Sequence, residues 1–344
     1  MTVICAFNEI DGLTTVSNAS RLEVSTSTTY GVITGVSRAA FGSDLNNLSM
    51  TRDLGQVVTE GWAHVRLYPR NDYPGTGSNA GNLFSLLDEN NSVVAAIYAD
   101  SQGSAVNPFL PLGIRVNGVG GLSAILFSAG TGSSNLLDID IHFRVADSGG
   151  FYRVYFSGAL VYEFLGDTRP TASTGIRTVQ FDTRGCNSSS VPDHTYFSQV
   201  IVSTSSTIGA RVHTLALSAG SVNDWTGAVT DINEPTDSPA SLISTATNGA
   251  EILMAAGDVS GLLTGNVISA LVMSSSAQAV IGSPVTNLAG RVKLGATTYD
   301  LGTVAPLVSG FRGVQHILGT NPATALPWQI ADVNGAEIGL QART

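Results

Sequence analysis

Apolar and polar residues alternate in short runs along most of this chain, and Gly, Ser, Asn and Asp separate the runs. The clearest run spans residues 136–145. One face of it carries Ile139, Ile141, Phe143 and Val145, and the other carries Asp138, Asp140, His142 and Arg144. Alternation with a period of two is typical of a β-strand with one buried face. The run therefore predicts a strand whose apolar side chains enter a core.

Further strands are predicted from the same pattern. In the first part of the chain they are residues 62–67, 83–87, 92–99, 151–156 and 159–164, with 197–202 as a later strand. The turn-forming residues 88–91 and Ser157-Gly158 each predict a hairpin between two of these strands. Residues 136–164 should therefore form three neighbouring antiparallel strands. Many short strands separated by turn residues favour a sandwich or a barrel.

The second part of the chain is predicted to be a smaller all-β unit. An irregular stretch, residues 221–250, is followed by strands at 267–274, 289–294 and 297–301. Because 344 residues exceed what one core usually organises, we predict two domains, residues 1–203 and 204–344. Near the end, Pro327 suits the first position of a short helix over 327–333. Trp328 should then anchor the second domain, with a last strand at 337–341.

The composition departs from that of an ordinary globular protein. Charged residues make up 12% of the chain and Gly contributes 38 residues, whereas about 25% charged residues would be usual. The surface must therefore be rich in Ser, Thr, Asn and Gly, which suits β domains that lie against neighbouring subunits. The net charge is −10, Lys293 is the single lysine and the arginines are scattered. Without a basic run, binding to nucleic acid is not expected.

The cysteines and the first residues bear on the compartment. Cys5 and Cys186 are too few for a disulfide scaffold. We favour free thiols in a reducing compartment, with one bridge as the alternative. Residues 1–10 lack the pattern of a signal peptide, and no apolar run approaches the roughly 20 residues that span a bilayer. The expectation is a protein made in the cytoplasm, without membrane insertion.

The most tempting metal ligands are Asp138, Asp140 and His142, which alternation places on one face of a strand. The outer two would lie about 13 Å apart along the strand, too far for one ion without other partners. The plainer interpretation, which we favour, is the solvent face of an alternating strand. We therefore predict no metal at this position.

An acidic segment provides a second possibility. It lies beside Trp225 and contains Asp224, Asp231, Glu234 and Asp237. Oxygen ligands of this kind could hold calcium, but no EF-hand spacing is present and Pro235 interrupts the segment. A well-packed polar loop is the interpretation that we favour, and calcium near residues 224–237 remains the alternative.

No catalytic or cofactor motif stands out. Residues 77–81 contain two glycines but lack the Gly-x-Ser-x-Gly order of a nucleophile elbow. Residues 118–121 are glycine-rich but precede a predicted strand rather than a helix, which is the wrong context for binding phosphate. Paired carboxylates of a glycosidase would meet only in the fold. We predict no catalytic, cofactor-binding or metal-binding residues, and no enzyme.

Aromatic residues could instead line a surface for a sugar or a receptor. The candidates are Tyr68, Tyr73, Phe109, Tyr152, Tyr155 and Tyr162. Alternation assigns several of them to the core. Residues 68–82, with Asn71-Asp72-Tyr73, form a long predicted loop, and loops often carry binding residues.

The order of strands over residues 136–164 resembles the middle of a laminin-G-like, or concanavalin A-like, jelly roll. Gly166-Asp167-Thr168 would be a rim loop and residues 197–202 a closing strand. Virion proteins of tailed bacteriophages often join such a domain to a second β domain. The resemblance extends over about residues 60–344 and does not include the segment before Trp62. It implies an antiparallel jelly-roll sandwich followed by a smaller C-terminal β-sandwich.

The resemblance also implies a role. We predict a virion structural protein, assembled in the host cytoplasm, that acts as a tail-associated fibre or receptor-binding adhesin. The alternative is a decoration protein that stabilises the capsid head. No heptads or fibrous repeats are present, so a compact two-domain knob fits better than a long fibre. The expected partners are other virion proteins, further copies of this chain, and a host-surface glycan or protein.

Overall fold

The computed structural model describes residues 2–8, 12–17, 23–25, 40–43, 48–69, 81–99, 110–116, 124–129, 136–169, 173–182, 195–232, 242–259, 266–307, 310 and 312–344. Within this part of the chain, two compact units are present. The larger consists of Ile4–Glu9 and Leu13–Val212, and the smaller of Met1–Val3, Ile10–Gly12 and His213–Thr344. No described helix has the length and apolar composition needed to cross a bilayer.

The larger unit is built from fifteen described strands, most of them short. In chain order they are β1 (Val3–Phe7), β2 (Thr15–Ser17), β3 (Glu23–Ser25), β4 (Ala40–Ser43), β5 (Ser49–Val58), β6 (Glu60–Pro69), β7 (Gly81–Leu87), β8 (Val93–Ala99), β9 (Leu110–Val116), β10 (Ala124–Ala129), β11 (Leu137–Arg144), β12 (Gly150–Phe156), β13 (Ala159–Gly166), β14 (Ile176–Asp182) and β15 (Thr195–Ser203). The described strands of the first sheet lie in the order β13-β12-β11-β6-β15-β4-β3, with β1 also paired to β15. Those of the second lie in the order β10-β9-β8-β7-β14-β5-β2.

Apolar side chains from both sheets meet in one core. Phe41 and Phe197 belong to the first sheet, and the ring of Phe181, from the second, lies 5.2 Å and 5.3 Å from their rings in edge contacts. All three are fully buried. Two sheets that pack face to face in this way form a β-sandwich. The predicted all-β jelly-roll class is therefore confirmed.

The strands predicted over residues 136–164 form as expected. β11 pairs with β12, and β12 pairs with β13, both antiparallel. Ile139, Ile141 and Phe143 are fully buried, which confirms their predicted place in the core. Ser157 and Gly158 form the turn of the β12–β13 hairpin and both have positive φ angles, so this turn favours a Gly at its second position.

The larger unit continues past the predicted boundary at residue 203 and ends at Val212. Gln199, which lies in a β15 bulge with φ 55°, binds the added residues. Its side-chain oxygen accepts from the Val212 N–H at 2.7 Å, and its side-chain N–H donates to the Val212 carbonyl at 2.9 Å. Asn8 also donates to the Val212 carbonyl. The 204–212 segment is thus held to the larger unit by side chains that are distant in sequence.

The smaller unit is also antiparallel. Its described strands are β16 (Ser218–Asn223), β17 (Glu251–Ala255), β18 (Leu271–Ala277), β19 (Asn287–Leu294), β20 (Thr297–Pro306), β21 (Arg312–Leu318) and β22 (Ala336–Arg343), with a short helix α1 (Ile330–Asn334) and a 3-10 turn at Val229–Ile232. One sheet has the order β16-β17-β22-β19-β20, and β18 pairs with β21. Apolar residues of both sheets share a core, so this unit is a small β-sandwich.

Trp328 occupies the core of the smaller unit, as predicted, with 2% of its surface exposed. It packs among residues that include Leu318, Val333 and Ile338. The predicted start of the helix at Pro327 is wrong, because α1 begins at Ile330 and Gln329 is its N-cap. Trp328 instead forms an isolated antiparallel β-bridge with Ile268. Its backbone is therefore extended, and the helix can begin only after it.

His316 is an unusual member of this core. It is 3% exposed, and neither ring nitrogen has a hydrogen-bond partner in the described part of the chain. The ring packs so closely on Gly290 that a Cβ there would lie 2.6 Å from it. Burial lowers the pKa of His316, and the negative charge of Asp300 opposes this effect only in part. The neutral form of the ring is therefore the one that suits the fold.

We expect His316 to make the smaller unit sensitive to acid. Its pKa is lower in the folded state than in the unfolded chain, where it is about 6.5, so the unfolded chain binds more protons and stability falls as pH drops below about 6.5. His316→Leu should remove this component. The test is the difference in melting temperature between the two proteins at pH about 7 and about 5. An equal loss in both proteins would contradict the prediction.

Candidate functional site

The outer face of the first sheet carries a group of charged and aromatic side chains. β6, β11, β12 and β13 are adjacent, and strand alternation turns every second residue away from the core. In-register pairing aligns these residues in rows across the sheet. The rows are Glu60–Arg144–Phe151–Leu165, Trp62–His142–Arg153–Glu163 and His64–Asp140–Tyr155–Leu160, with Arg66 opposite Asp138 in a further row.

A buried polar network lies at one end of this outer face. The Nδ1 atom of His64 lies 2.9 Å from Oδ1 of Asp140, and the Thr207 hydroxyl donates to the same oxygen at 2.6 Å. His64 is fully buried and Asp140 is 1% exposed. Thr207 comes from the 204–212 segment, so this last segment of the larger unit covers the Asp140 carboxylate.

Asp138 accepts the other hydrogen bonds of this network, all of them from arginines. Arg66 donates two hydrogen bonds to its carboxylate, at 2.8 Å and 3.0 Å, and Arg211 donates a third at 2.8 Å. Burial alone would raise the pKa of Asp138, but the hydrogen bonds and positive charge of Arg66, assisted by Arg211, outweigh it and lower the pKa. The Asp138 carboxylate is therefore ionised, and it is already hydrogen-bonded to two guanidinium groups.

An aromatic cluster, Trp62, His142, Tyr155 and Phe151, lies beside the buried network. The rings of Trp62 and His142 stack with centroids 4.2 Å apart and an angle of 9° between their planes. Tyr155 stacks on Trp62 at 5.4 Å, and Phe151 meets His142 edge-on at 4.6 Å. Trp62, His142 and Tyr155 are each partly exposed. Stacking holds these side chains in place, and their exposed parts form an aromatic surface that a ligand could contact.

Two ion pairs flank the aromatic cluster. Arg144 donates two hydrogen bonds to Glu60, and Arg153 donates one of 2.6 Å to Glu163. Both guanidinium groups also lie over the Phe151 ring, at 5.1 Å and 4.5 Å from its centroid. The hydrogen bonds from Arg144 lower the pKa of Glu60. Each charge on this part of the face therefore has a partner of opposite sign.

The structure revises the sequence interpretation of Asp138, Asp140 and His142. They lie on one face, as predicted, but Asp140 is buried rather than on the solvent face, because Thr207 and His64 enclose it. In the ranges described, no three His, Cys, Asp or Glu side chains come together as a metal site would require. Arginines hold Asp138, and His142 stacks on Trp62.

The other candidate residues are dispersed. Asp224 and Asp231 accept backbone hydrogen bonds from Glu251 and Ala228, respectively, which fits a packed polar loop. Tyr68 and Tyr152 are buried, and the Tyr152 hydroxyl donates to the Thr168 carbonyl. Cys5 is a buried free thiol, and burial raises its pKa to about 11. Several candidates lie outside the described residues: Tyr73, Phe109, residues 70–80 and 118–121, Cys186, Glu234 and Asp237.

Trp62 and Phe151 escaped the list of aromatic candidates. Both were recognised as strand residues, and their alternation gives the face on which each lies. Only pairing register shows that Trp62 is opposite His142 and that Phe151 lies next to Arg144. The signal that could have found Trp62 is its place as the single Trp in a run that otherwise alternates His and Arg with small or branched apolar residues.

No family model matches this sequence, and no curated protein does. Among solved structures, it is similar to an endo-β-1,4-glucuronan lyase from the fungus Trichoderma reesei, with 14% identity over 58% of this chain and 94% of that one and a TM-score of 0.39. An alginate lyase matches with 13% identity, 61% and 98% coverage and a TM-score of 0.42. A carbohydrate esterase from the Shiga toxin-encoding bacteriophage phi24B matches with 13% identity, 60% and 99% coverage and a TM-score of 0.39.

These neighbours correct one prediction. The expectation that the chain is not an enzyme is contradicted, because all three of these structures are of carbohydrate-active enzymes. The expectation was based on missing sequence motifs, whereas side chains on adjacent strands of a sandwich meet only through pairing register. At this level of similarity the neighbours identify neither the family nor the reaction of this chain. One of them is encoded by a bacteriophage.

Proposed function

We propose that this chain is a host-attachment protein of a tailed bacteriophage and that its larger unit binds a surface glycan on the outer face of the first sheet. The observation that carries the proposal is the aromatic cluster: Trp62, His142 and Tyr155 are stacked, partly exposed and bordered by ion pairs. Aromatic side chains of this kind combine a large apolar surface with polar edges, which suits the mixed apolar and hydroxyl surface of a sugar.

The polar groups around the cluster supply the directional part of recognition. A guanidinium group has five N–H donors, and a carboxylate accepts through two oxygens. In the pairs Glu60–Arg144 and Arg153–Glu163, only some of these positions are used within the pair. Glycan hydroxyl groups can both donate and accept, so they can bind to the remaining positions. The aromatic cluster and the two ion pairs thus form one continuous surface.

The composition supports placing this surface in a particle. The low content of charged residues lets subunits come together without desolvating many charges. Glycan sites of single proteins are often weak, and several copies that act together increase the overall affinity. We therefore include other copies of this chain and other virion proteins among its partners.

The first test is binding of the full chain to host cells and to an array of surface glycans. Trp62→Ala should weaken glycan binding about 30-fold or more, as expected for an aromatic side chain at the centre of a binding surface. Trp225→Ala, the same change in the smaller unit, is the matched control and should leave binding unchanged. Circular dichroism of both variants checks that each is folded.

Binding that survives Trp62→Ala and Tyr155→Ala would exclude this face as the site. The bound glycan is also recovered and sized, so that cleavage at the site is recognised by its product. The place in the particle needs a separate measurement, namely the copy number in purified virions. A few copies at the tail support the proposal, whereas a coat of many copies on the head would make the chain a decoration protein.

A further inference from the structure

We infer that the glycan bound at the aromatic cluster is uncharged. This inference rests on the proposed function and specifies its ligand. It is based on the balance of charges on β6, β11, β12 and β13 of this face and on the 204–212 segment that contacts them.

The charged side chains of this face balance. In β6, β11, β12, β13 and the 204–212 segment, the acidic residues are Glu60, Asp138, Asp140 and Glu163, and the arginines are Arg66, Arg144, Arg153 and Arg211. Four negative and four positive groups leave no net charge from these residues. The remaining ionisable rings are those of His64 and His142. Burial and the charge of Arg153 lower the pKa of His142, which favours its neutral form.

Each arginine is committed to a carboxylate of the same face. Arg66 and Arg211 both bind Asp138, Arg144 binds Glu60 through two hydrogen bonds, and Arg153 binds Glu163. A guanidinium group binds a carboxylate best through two parallel N–H donors, so it is more available to the carboxylate of a ligand when no internal carboxylate already holds it. In this face the protein itself supplies that internal carboxylate.

An acidic glycan would therefore gain little from these arginines, because the carboxylate that each one already binds repels the carboxylate of the ligand. A uronate placed on the aromatic cluster to reach Arg144 or Arg153 would bring its carboxylate close to Glu60 or Glu163. Two like charges about 5 Å apart with bulk water between them weaken binding roughly fivefold, and they weaken it more where water is excluded. A neutral sugar avoids this penalty, and its hydroxyl groups can accept from the guanidinium groups and donate to the carboxylates.

The experiment compares matched ligands on the full chain. An array is prepared with neutral oligosaccharides and uronate oligosaccharides, including oligogalacturonate as the free acid and as its methyl ester, which differ by the charge and one methyl group on each sugar unit. We expect Trp62-dependent binding of neutral ligands, with the free acid of any bound ester roughly fivefold weaker or more. The dissociation constant of a neutral ligand should not change between about 50 mM and about 500 mM sodium chloride, because screening acts on charged pairs.

A double variant should remove the preference for neutral ligands. Glu60→Gln with Glu163→Gln removes both carboxylates that flank the cluster and leaves Arg144 and Arg153 without their partners. This variant should bind uronate oligosaccharides at least roughly fivefold more tightly than the unmodified protein, and salt should weaken that binding. Glu89→Gln with Glu337→Gln removes the same charge elsewhere and is the control, for which no gain is expected.

The outcomes separate this inference from the proposed function. Tighter, Trp62-dependent binding of a uronate by the unmodified protein would overturn the neutral-ligand inference and leave glycan binding at this face intact. If no glycan on the array or on host cells is bound, both fail. Neutral binding that is insensitive to salt, together with gain of uronate binding in the double variant, supports both.

Discussion

Replacing Trp328 by alanine should destabilise the smaller unit by about 3–5 kcal/mol. The indole is 2% exposed and packs among Leu318, Val333 and Ile338, and its Nε1 donates to the Leu318 carbonyl at 3.0 Å. The truncation would leave a cavity and remove the donor from that carbonyl. Urea unfolding, followed by circular dichroism, measures the loss.

Trp328→Phe is the matched control. It keeps an aromatic ring in the core and loses mainly the hydrogen bond, so its cost should be about 1–3 kcal/mol, smaller than that of alanine. Hydrogen exchange of backbone amides assigns the effect to a unit, and the expectation is that β6 and β11 in the larger unit stay protected. A loss below about 1 kcal/mol for Trp328→Ala, in the range of ordinary substitutions, would show that the indole is not the anchor of this core.

Asp138→Ala should cost the larger unit about 3 kcal/mol at neutral pH, because removing one partner of a buried ion pair is strongly destabilising. The side chain of Arg66 is 7% exposed and gives two of its hydrogen bonds to this carboxylate. Arg211, which ties the 204–212 segment to the sheet, loses the same partner. Urea unfolding again provides the measurement.

The pH dependence of this second prediction gives it an internal check. The pKa of Asp138 is lowered in the folded protein, so its stabilisation is fully present above the unfolded pKa, about 3.9, and is lost as pH falls through the lower folded value. The difference between the unmodified protein and Asp138→Ala should therefore be constant from pH about 7 to about 5 and shrink below about 4. Asp138→Asn, which keeps an acceptor but no charge, should fall between the two. A difference that does not change with pH would mean that packing, rather than charge, is lost.

Alternation predicted the strands over residues 136–164 and their buried face, because local side-chain periodicity determines which face enters a core. It was much less informative before Trp62, where β1 pairs with β15 and β5 pairs with β14. Those pairings join segments far apart in sequence, and several of the strands are only three to five residues long. Such short strands carry too few residues to show a period.

The candidate site illustrates a different limit. The sequence placed Asp138, Asp140 and His142 on one face correctly, but it treated that face as uniformly exposed. Asp140 is buried under Thr207, which is distant in sequence and donates a hydrogen bond to it. The stacking of Trp62 on His142 likewise depends on register. The segment that covers Asp140 and the register that pairs Trp62 with His142 both depend on tertiary structure, so alternation along the sequence cannot predict them.

The hydrogen bonds of Gln199 and Asn8 to Val212 determine where a recombinant fragment of the larger unit can end. A recombinant fragment that stops at Ser203 would omit the Thr207 hydroxyl and the Arg211 guanidinium, and so would strip two donors from carboxylates that the fold keeps ionised or enclosed. The shortest fragment that retains all of these bonds ends at Val212 and includes Asn8 near its start. Asn8 and Gln199 both donate to the Val212 carbonyl.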